Sequence, residues 1–552
     1  MRRHTHLALA LLVILALHGC ASTAPDPAET AAEPFFEILA INDVYRIEGV
    51  DDRQRGGMAR LRTLRAQLEA ENPNLLFLHA GDFLAPSLAS RVFQGEQMVD
   101  AMNRLDGDPQ AFDERFFVTF GNHEFDLKDA ATLDRRIAES QFRWLGTNLW
   151  IDEHQGVPLL ASENRIGTAL IDIGGMRVGL FSLTDESAQP SYILDFYDRN
   201  DTALSASTKL RAAGAEVVIA LTHLAADEDR QLYWDLGDNG PDLIIGGHDH
   251  HRMAIKVGDR WILKADADAR TAVHAKVFPQ SDGPPRVESR FLALGPEQPE
   301  PDPDVETAVA DWNRRVDEAY CQDRLGMEPG CLDQVVGNTR VVLTAEELSI
   351  RRFETNLGNW IADRMIDHFR PAAPEGFPLV AFVNSGSLRL NQDLPANRPI
   401  LRRHIEELFA YPAEMRLLRI DGKTLKEVAS RGVESWTGNG WWLQISGFAY
   451  VHEPENEKAS HLTLLPPDGP ARPIEDDETL YAVTVDYLVN DQIGDQDGYV
   501  MLLPRSVAST GVDLHDYVLY ALAKAGSEGI APEIEGRICN TEKPGPCLAI
   551  TP

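Results

Sequence analysis

Five apolar runs in the first half of the chain each stop at a polar turn. They are FEILAI before Asn42-Asp43, LLFLHA before Gly81-Asp82, FFVTF before Gly121-Asn122-His123-Glu124, VVIAL before Thr222-His223, and LII before Gly246-Gly247-His248-Asp249-His250. Short apolar runs closed by Gly, Asn or Asp are the pattern of buried strands. Between them lie segments with helical spacing. In GGMARLRTLRAQLEAE, Met58, Leu61, Leu64 and Leu68 form one stripe, which predicts a core-facing helix. Strands alternating with helices from residue 35 to about 294 predict an α/β layered domain. The Pro- and acid-rich stretch 295–304 reads as a domain boundary. It opens a linker, 295–334, in which VETAVADWNRRVDEAY is expected to be a solvent-exposed helix. PLVAFVNSG, EMRLLRIDG and LYAVTVDYL are further strand candidates, placing a second α/β domain at 335–532 and a docked tail at 533–552.

Length and charge narrow the picture. A chain of 552 residues is too long for a single core. The net charge of −34 excludes nucleic-acid polymers as partners, since nothing would offset phosphate repulsion over an extended surface. A small phosphorylated ligand stays open. At the N-terminus, Arg2 and Arg3 precede an apolar stretch and then His18-Gly19-Cys20, a signal-peptide pattern over residues 1–20. The small residue before Cys20 resembles the bacterial lipobox, which implies lipidation at Cys20, with 21–34 as a tether. Ala21 after that cysteine favours the outer membrane by the same resemblance. The chain is thus expected to be an exported periplasmic or cell-surface lipoprotein, held at a membrane only through its lipid. Four cysteines remain, Cys321, Cys331, Cys539 and Cys547. In an exported chain an even number suggests disulfides. The spacing makes Cys321–Cys331 with Cys539–Cys547 the economical pairing of the three that are possible.

Open α/β sheets bind ligands outside the carboxyl ends of their strands, so the five turns are expected to converge. Their side chains are metal-capable. Phosphate ester hydrolysis needs an attacking hydroxide at neutral pH and charge relief on the leaving oxygen. Two divalent ions roughly 3.5–4 Å apart supply both, sharing a bridging carboxylate. Asp82 suits the bridge, Asn122, His223 and His248 one ion, and Asp43 and His250 the other. Imidazole, carboxylate and amide donors favour Zn²⁺, Mn²⁺ or Fe²⁺ over Ca²⁺ or Mg²⁺. His123 beside Asn122, with Asp126 three residues on, reads as a catalytic imidazole oriented by a carboxylate. His79 and His274 read as core or edge residues, His251 as facing away, and Asp249 as a turn residue.

These motifs resemble the calcineurin-like metallophosphoesterases, in the 5′-nucleotidase/UDP-sugar hydrolase/2′,3′-cyclic phosphodiesterase branch. The resemblance covers most of the chain and implies a β-sandwich flanked by helices, followed by a substrate-binding α/β domain. One position departs from the family. Tyr45 stands where a first-metal histidine is expected. A phenol binds divalent ions poorly unless ionised, so Tyr45 either coordinates as phenolate, favouring Fe(III), or turns away.

In the second domain the resemblance places substrate contacts at Arg351, Asn384, Arg389 and Asp497, with stacking aromatics at Tyr411 and Tyr487. Stacked bases gain about 1–3 kcal/mol each, and Arg forks fit phosphate oxygens. Arg351 could instead pair with Glu354. WWLQISG, with Trp441 and Trp442, reads as a strand entering the core. The expectation is a monomeric, two-metal phosphohydrolase acting on nucleotides or related phosphorylated metabolites. The alternatives are a cyclic-nucleotide phosphodiesterase or nucleotide-sugar pyrophosphatase, and a non-catalytic binding lipoprotein.

Overall fold

The computed structural model describes residues 34–550, apart from 151–152, 155–156, 159, 161, 187–191, 194, 298, 372, 437, 491–496 and 544. The signal peptide, Cys20 and the tether to residue 33 lie outside the described residues. The five motif-bearing runs are strands: β1 (Phe36–Ile41), β2 (Leu75–His79), β3 (Phe116–Thr119), β4 (Val217–His223) and β5 (Leu243–Gly246). Among the described residues they belong to two sheets. The strands β1, β2 and β3 are parallel neighbours in a seven-stranded sheet, and β4 and β5 are parallel neighbours in a six-stranded one. Parallel pairing puts their carboxyl ends on a common edge.

Both faces of these strands are buried, which is why they read as continuous apolar runs rather than alternating ones. Phe36, Ile38 and Ala40 of β1 join Leu76 and Leu78 of β2 in the core between the sheets, where they meet Ile219, Leu221, Leu243 and Ile245. Leu39, Ile41 and Phe77 point the other way, onto Met58, Leu61, Leu64 and Leu68 of helix Met58–Glu71. Behind the second sheet, Val218, Ala220 and Ile244 pack on helices Arg199–Ala212 and Ala226–Leu236. The result is a two-sheet sandwich with helices outside both sheets.

The linker helix differs from expectation. Helix Pro303–Ala319 is started by Asp302, whose side chain accepts from the Asp304 and Val305 amides, with Pro303 in its first turn. Only one of its faces is solvent-exposed. Val305, Val309 and Trp312 enter the same core as helix Met58–Glu71, and the Trp312 indole donates to Asp100 at 2.7 Å. Apolar residues at these spacings form one helical stripe, and that stripe lies on the first half of the molecule. Val316 continues into a small cluster containing the Cys321–Cys331 disulfide.

The second half is built on a five-stranded sheet, including Leu379–Asn384, Glu414–Asp421 and Thr479–Val485. Helices Asn356–Phe369, Gly422–Val433 and Leu514–Ala525 share its apolar core. Trp442 is buried ahead of strand Leu443–Ser446, while Trp441 lies partly exposed under the Arg431 guanidinium. The tail is docked: Ile538–Asn540 pairs parallel with Phe448–Glu453, and Cys539 and Cys547 form a disulfide. The halves meet through Arg46–Glu407 at 3.3 Å, Arg270–Glu346 at 3.1 Å and Asn391–Asp268 at 2.6 Å. Residues 35–552 form one unit.

Candidate metal centre and phosphoesterase site

The chain turns sharply as it leaves β1, β2 and β5. Asp43, Asp82, His248 and His250 all have left-handed backbones, with φ of 52°, 59°, 79° and 60°. Non-glycine residues rarely adopt that region, and they gather at functional sites where surrounding structure holds them. The adjoining glycines make the approach possible. A Cβ on Gly81 would lie 2.7 Å from the Gly121 amide nitrogen and 2.8 Å from His223 Nδ1, and one on Gly121 would collide with the Asp82 carboxylate.

These turns bring the candidate ligands together. Donor atoms of Asp43, Asp82 and His250 lie within 4.8 Å of one another. His223 Nδ1 lies 2.7 Å from the Ala80 carbonyl, which can only accept. That fixes the ring, and Nε2 then lies 3.2 Å from Asp82 Oδ2 and 3.9 Å from Asp43 Oδ1. His250 Nε2 is 3.2 Å from Asp43 Oδ1. The His248 ring sits edge-on to His223 at 5.3 Å, and its amide donates to Asp43. Asn122 Oδ1 is buried with no hydrogen-bond partner. Two buried carboxylates, three imidazoles and an orphaned amide oxygen are the donor chemistry of a transition-metal site. The residues fit the ions that the motifs imply.

The electrostatics agree. Burial would raise both carboxylates, yet His250 and His223 hold Asp43 low, and His223 and His123 hold Asp82 low. Burial would lower the imidazoles, yet Asp82 and Asp43 hold His223 at about 10, and Glu347 and Asp43 hold His250 at about 9. Protonated imidazoles here do what cations would do, offsetting buried carboxylate charge.

Tyr45 does not turn away. Its ring is buried, and its hydroxyl lies 3.2 Å from Asp82 Oδ2 and 3.0 Å from His250 Nε2. Burial, then the Asp82 and Asp43 charges, push the phenol well above its ordinary range. The protein by itself therefore favours a neutral hydroxyl at this position.

Beside the cluster, His123 Nδ1 lies 2.7 Å from Asp126 Oδ2. The backbone of His123 is tied to the cluster through its amide, which donates to Asp82 Oδ1 at 2.8 Å. Tyr411, expected as a stacking platform, also reaches this pair. Its hydroxyl donates to Asp126 at 2.6 Å and lies 3.1 Å from His123 Nδ1. Arg389 carries its guanidinium 5.6 Å from the Tyr411 ring centroid and donates to the Gly386 carbonyl. Arg351 pairs with Glu347, not Glu354. Glu354 instead accepts the amides of Glu535, Gly536 and Ile538 in the tail. Asn384 is buried and accepts from Ser387. Tyr487 is hydrogen-bonded to Asp497, whose carboxyl burial raises.

Several residues have supporting roles that the motifs do not reveal. Glu124 accepts the amides of Asp82, Phe83, Leu84 and Gly121 at 2.6–3.1 Å, clamping the turns after β2 and β3 together. Burial, then Asp82, push its carboxyl up to about 7 against the Phe83, Leu84 and Gly121 amides. Asn42 holds Asp43 Oδ2 at 2.7 Å. Lys264 is buried and donates to the carbonyls of Leu224 and Gly247 and to Asp249. Asp249 is thus more than a turn residue: with Lys264 it staples the histidine-bearing loop. His79 is buried against Phe83, and burial lowers it to about 3. His274 pairs with Glu37 away from the cluster, and His251 Nδ1 bonds back to the Asp249 carbonyl.

Residues 36–252 match the calcineurin-like phosphoesterase family, and residues 335–502 match the 5′-nucleotidase C-terminal domain. The chain is a calcineurin-like phosphoesterase with a 5′-nucleotidase C-terminal domain. Among curated relatives of this phosphoesterase is the trifunctional nucleotide phosphoesterase protein YfkN of Bacillus subtilis. It is 25% identical over 93% of this chain, which spans 35% of YfkN's length. The 5′-nucleotidase of Homo sapiens is 24% identical over 91% of this chain and 90% of its own length. Of solved structures, the 5′-nucleotidase precursor of Thermus thermophilus superposes with a TM-score of 0.74 at 22% identity, covering 92% of this chain and all of that one. The sulfate thiohydrolase SoxB of the same organism does so with a TM-score of 0.69 at 16% identity, covering 93% and 98%. At these identities the structural matches establish the two-part fold.

Proposed function

We propose that this phosphoesterase hydrolyses phosphate monoesters of nucleotides, and that Asp43, Asp82, Asn122, His223, His248 and His250 hold two divalent ions. The observation that carries the reading is the gathering of Asp43, Asp82 and His250 at strand ends, next to the His123–Asp126 pair. Bound ions at such a site would activate water and offset charge on the phosphoryl oxygens. The protein's own groups divide the remaining work. His123, oriented through Nδ1, presents Nε2 as proton donor or charge stabiliser at the leaving oxygen. Arg389 and Arg351 supply positive charge for substrate anions. The Tyr411 ring is 37% exposed and offers a face on which a planar base would stack. Nucleotide substrates accord with the names of its relatives, the trifunctional nucleotide phosphoesterase YfkN and the human 5′-nucleotidase. Export with a lipid anchor at Cys20 completes the reading. Among the described residues no helix is long and apolar enough to cross a membrane.

Metal analysis of purified protein, with AMP, p-nitrophenyl phosphate and bis-p-nitrophenyl phosphate as substrates, tests this. The expected result is two bound Mn²⁺ or Zn²⁺ per chain and monoesterase activity abolished by chelation. Asp82→Ala should remove both the ions and the activity. Full activity of Asp82→Ala in metal-free buffer would overturn the reading. Preference for the diester would make the enzyme a phosphodiesterase.

A further inference from the structure

The second half of the molecule sends one carboxylate into the candidate metal centre. Glu347 begins the short helix Glu347–Ile350 and is 5% exposed. Its Oε2 lies 2.8 Å from His250 Nδ1, on the side of the ring opposite Asp43 and Tyr45. Its other oxygen pairs with Arg351. The segment is anchored across the interface. The Glu347 amide donates to Asn391, Asn391 donates to Asp268, and Asp268 accepts the Tyr45 amide. Arg270 reaches both Glu346 and Asn391. His250 has a left-handed backbone, with φ of 60°.

A neutral imidazole carries one N–H. If Nδ1–H points at a fixed carboxylate, Nε2 keeps its lone pair for an ion, and the ring cannot rotate out of place. A metal-bound histidine almost always has such a partner, and loss of the partner typically weakens metal affinity by roughly 10–100-fold. His223 is held by a carbonyl within its own half, that of Ala80. The carboxylate facing His250 Nδ1 comes from the other half.

We propose that Glu347 is a positioning residue for His250, setting the tautomer and direction of this imidazole from across the interface between the halves. The proposal rests on the reading of His250 as a metal ligand.

The test is isothermal titration of metal-free full-length protein with Mn²⁺, for wild type, Glu347→Ala, Glu347→Gln and His250→Ala. Thermal unfolding of each metal-free protein is followed in parallel. Glu347→Ala should weaken one of the two Mn²⁺ sites by about 10–100-fold. Glu347→Gln keeps the shape and an acceptor oxygen, so it should recover most of that loss. His250→Ala should weaken the same site at least as much. Unchanged Mn²⁺ affinity in Glu347→Ala, with only a lower melting temperature, would overturn the proposal and leave Glu347 as an interface ion pair. That outcome would leave the metal reading intact. If wild type failed to bind Mn²⁺, or His250→Ala bound it as tightly, the metal reading would fall and the proposal with it.

Discussion

Replacing Asp126 with Asn tests how the candidate catalytic imidazole is held. Asp126 Oδ2 lies 2.7 Å from His123 Nδ1 and also accepts from Tyr411 at 2.6 Å. Asn keeps the shape and one acceptor oxygen, and removes the charge. A hydrogen bond to a charged group is worth about 1.5–3 kcal/mol. The Asp126 side chain is 33% exposed, so screening moves the value to the low end, about 1–1.5 kcal/mol. With about 1.4 kcal/mol per tenfold in rate, kcat should fall roughly 5–12-fold. His123→Ala removes the group itself and should lower kcat by about two to four orders of magnitude. Neither variant should change metal content, because neither side chain is in the Asp43–Asp82–His250 cluster. Steady-state kinetics on AMP and p-nitrophenyl phosphate, with metal analysis of the same preparations, read both quantities. Wild-type kcat in Asp126→Asn would refute the orienting role. A loss as large as that of His123→Ala would show that Asp126 does more than orient, and a lost ion in His123→Ala would make His123 a ligand.

Two further outcomes follow from the geometry. Tyr45→His should tighten the first ion in a Mn²⁺ titration, since imidazole is a better donor than neutral phenol, whereas a visible absorption band in wild type that Tyr45→Phe bleaches would establish a phenolate–iron bond instead. The second concerns pH: His515 lies 3.0 Å from Glu406, which also accepts from Tyr320. Burial would lower His515, but Glu406 raises it above its ordinary value. Burial would raise Glu406, but His515 lowers it. The histidine's contribution is complete below its unfolded value, about 6.5, and fades as pH rises through the raised folded value; the glutamate's is complete above about 4.3 and fades as pH falls through the lowered one. The pair's contribution should therefore plateau between about pH 4.5 and 6.5, and a His515→Ala melting profile that declines on both sides like wild type would remove the pair as its cause.

What could be read from the chain was whatever has a local signature. Strand β1 and its fellows are apolar on both faces because helices and a second sheet cover them, so they appear as unbroken runs. Their turns are equally local: Gly81 and Gly121 are needed where two backbones nearly touch, directly beside Asp82. For helix Pro303–Ala319 the charges between its apolar residues do face solvent, and only the opposite face is covered. Val305, Val309, Trp312 and Val316 already form a stripe in the sequence, but the surrounding charges read as a solvated helix. Lys264 and Glu347 carry no such trace. A lysine closing a strand and a glutamate four residues before an arginine are commonplace, and their roles exist only once distant loops meet.

The same distinction bears on how the site works. Ligand motifs come from the first half alone, yet two of the groups that hold its imidazoles belong to the second. Tyr411 bonds the carboxylate that orients His123, and Glu347 faces the far nitrogen of His250. Both contacts exist only while the halves are docked as in this structure. Movement of the second half would take Glu347 from His250 and Tyr411 from Asp126, while the His123–Asp126 pair stays within the first half. A substrate anion competing for Arg351 would also loosen Glu347, because the two are paired. If Arg351 binds substrate as proposed, capture in the second half and imidazole geometry in the first would be linked through one buried carboxylate.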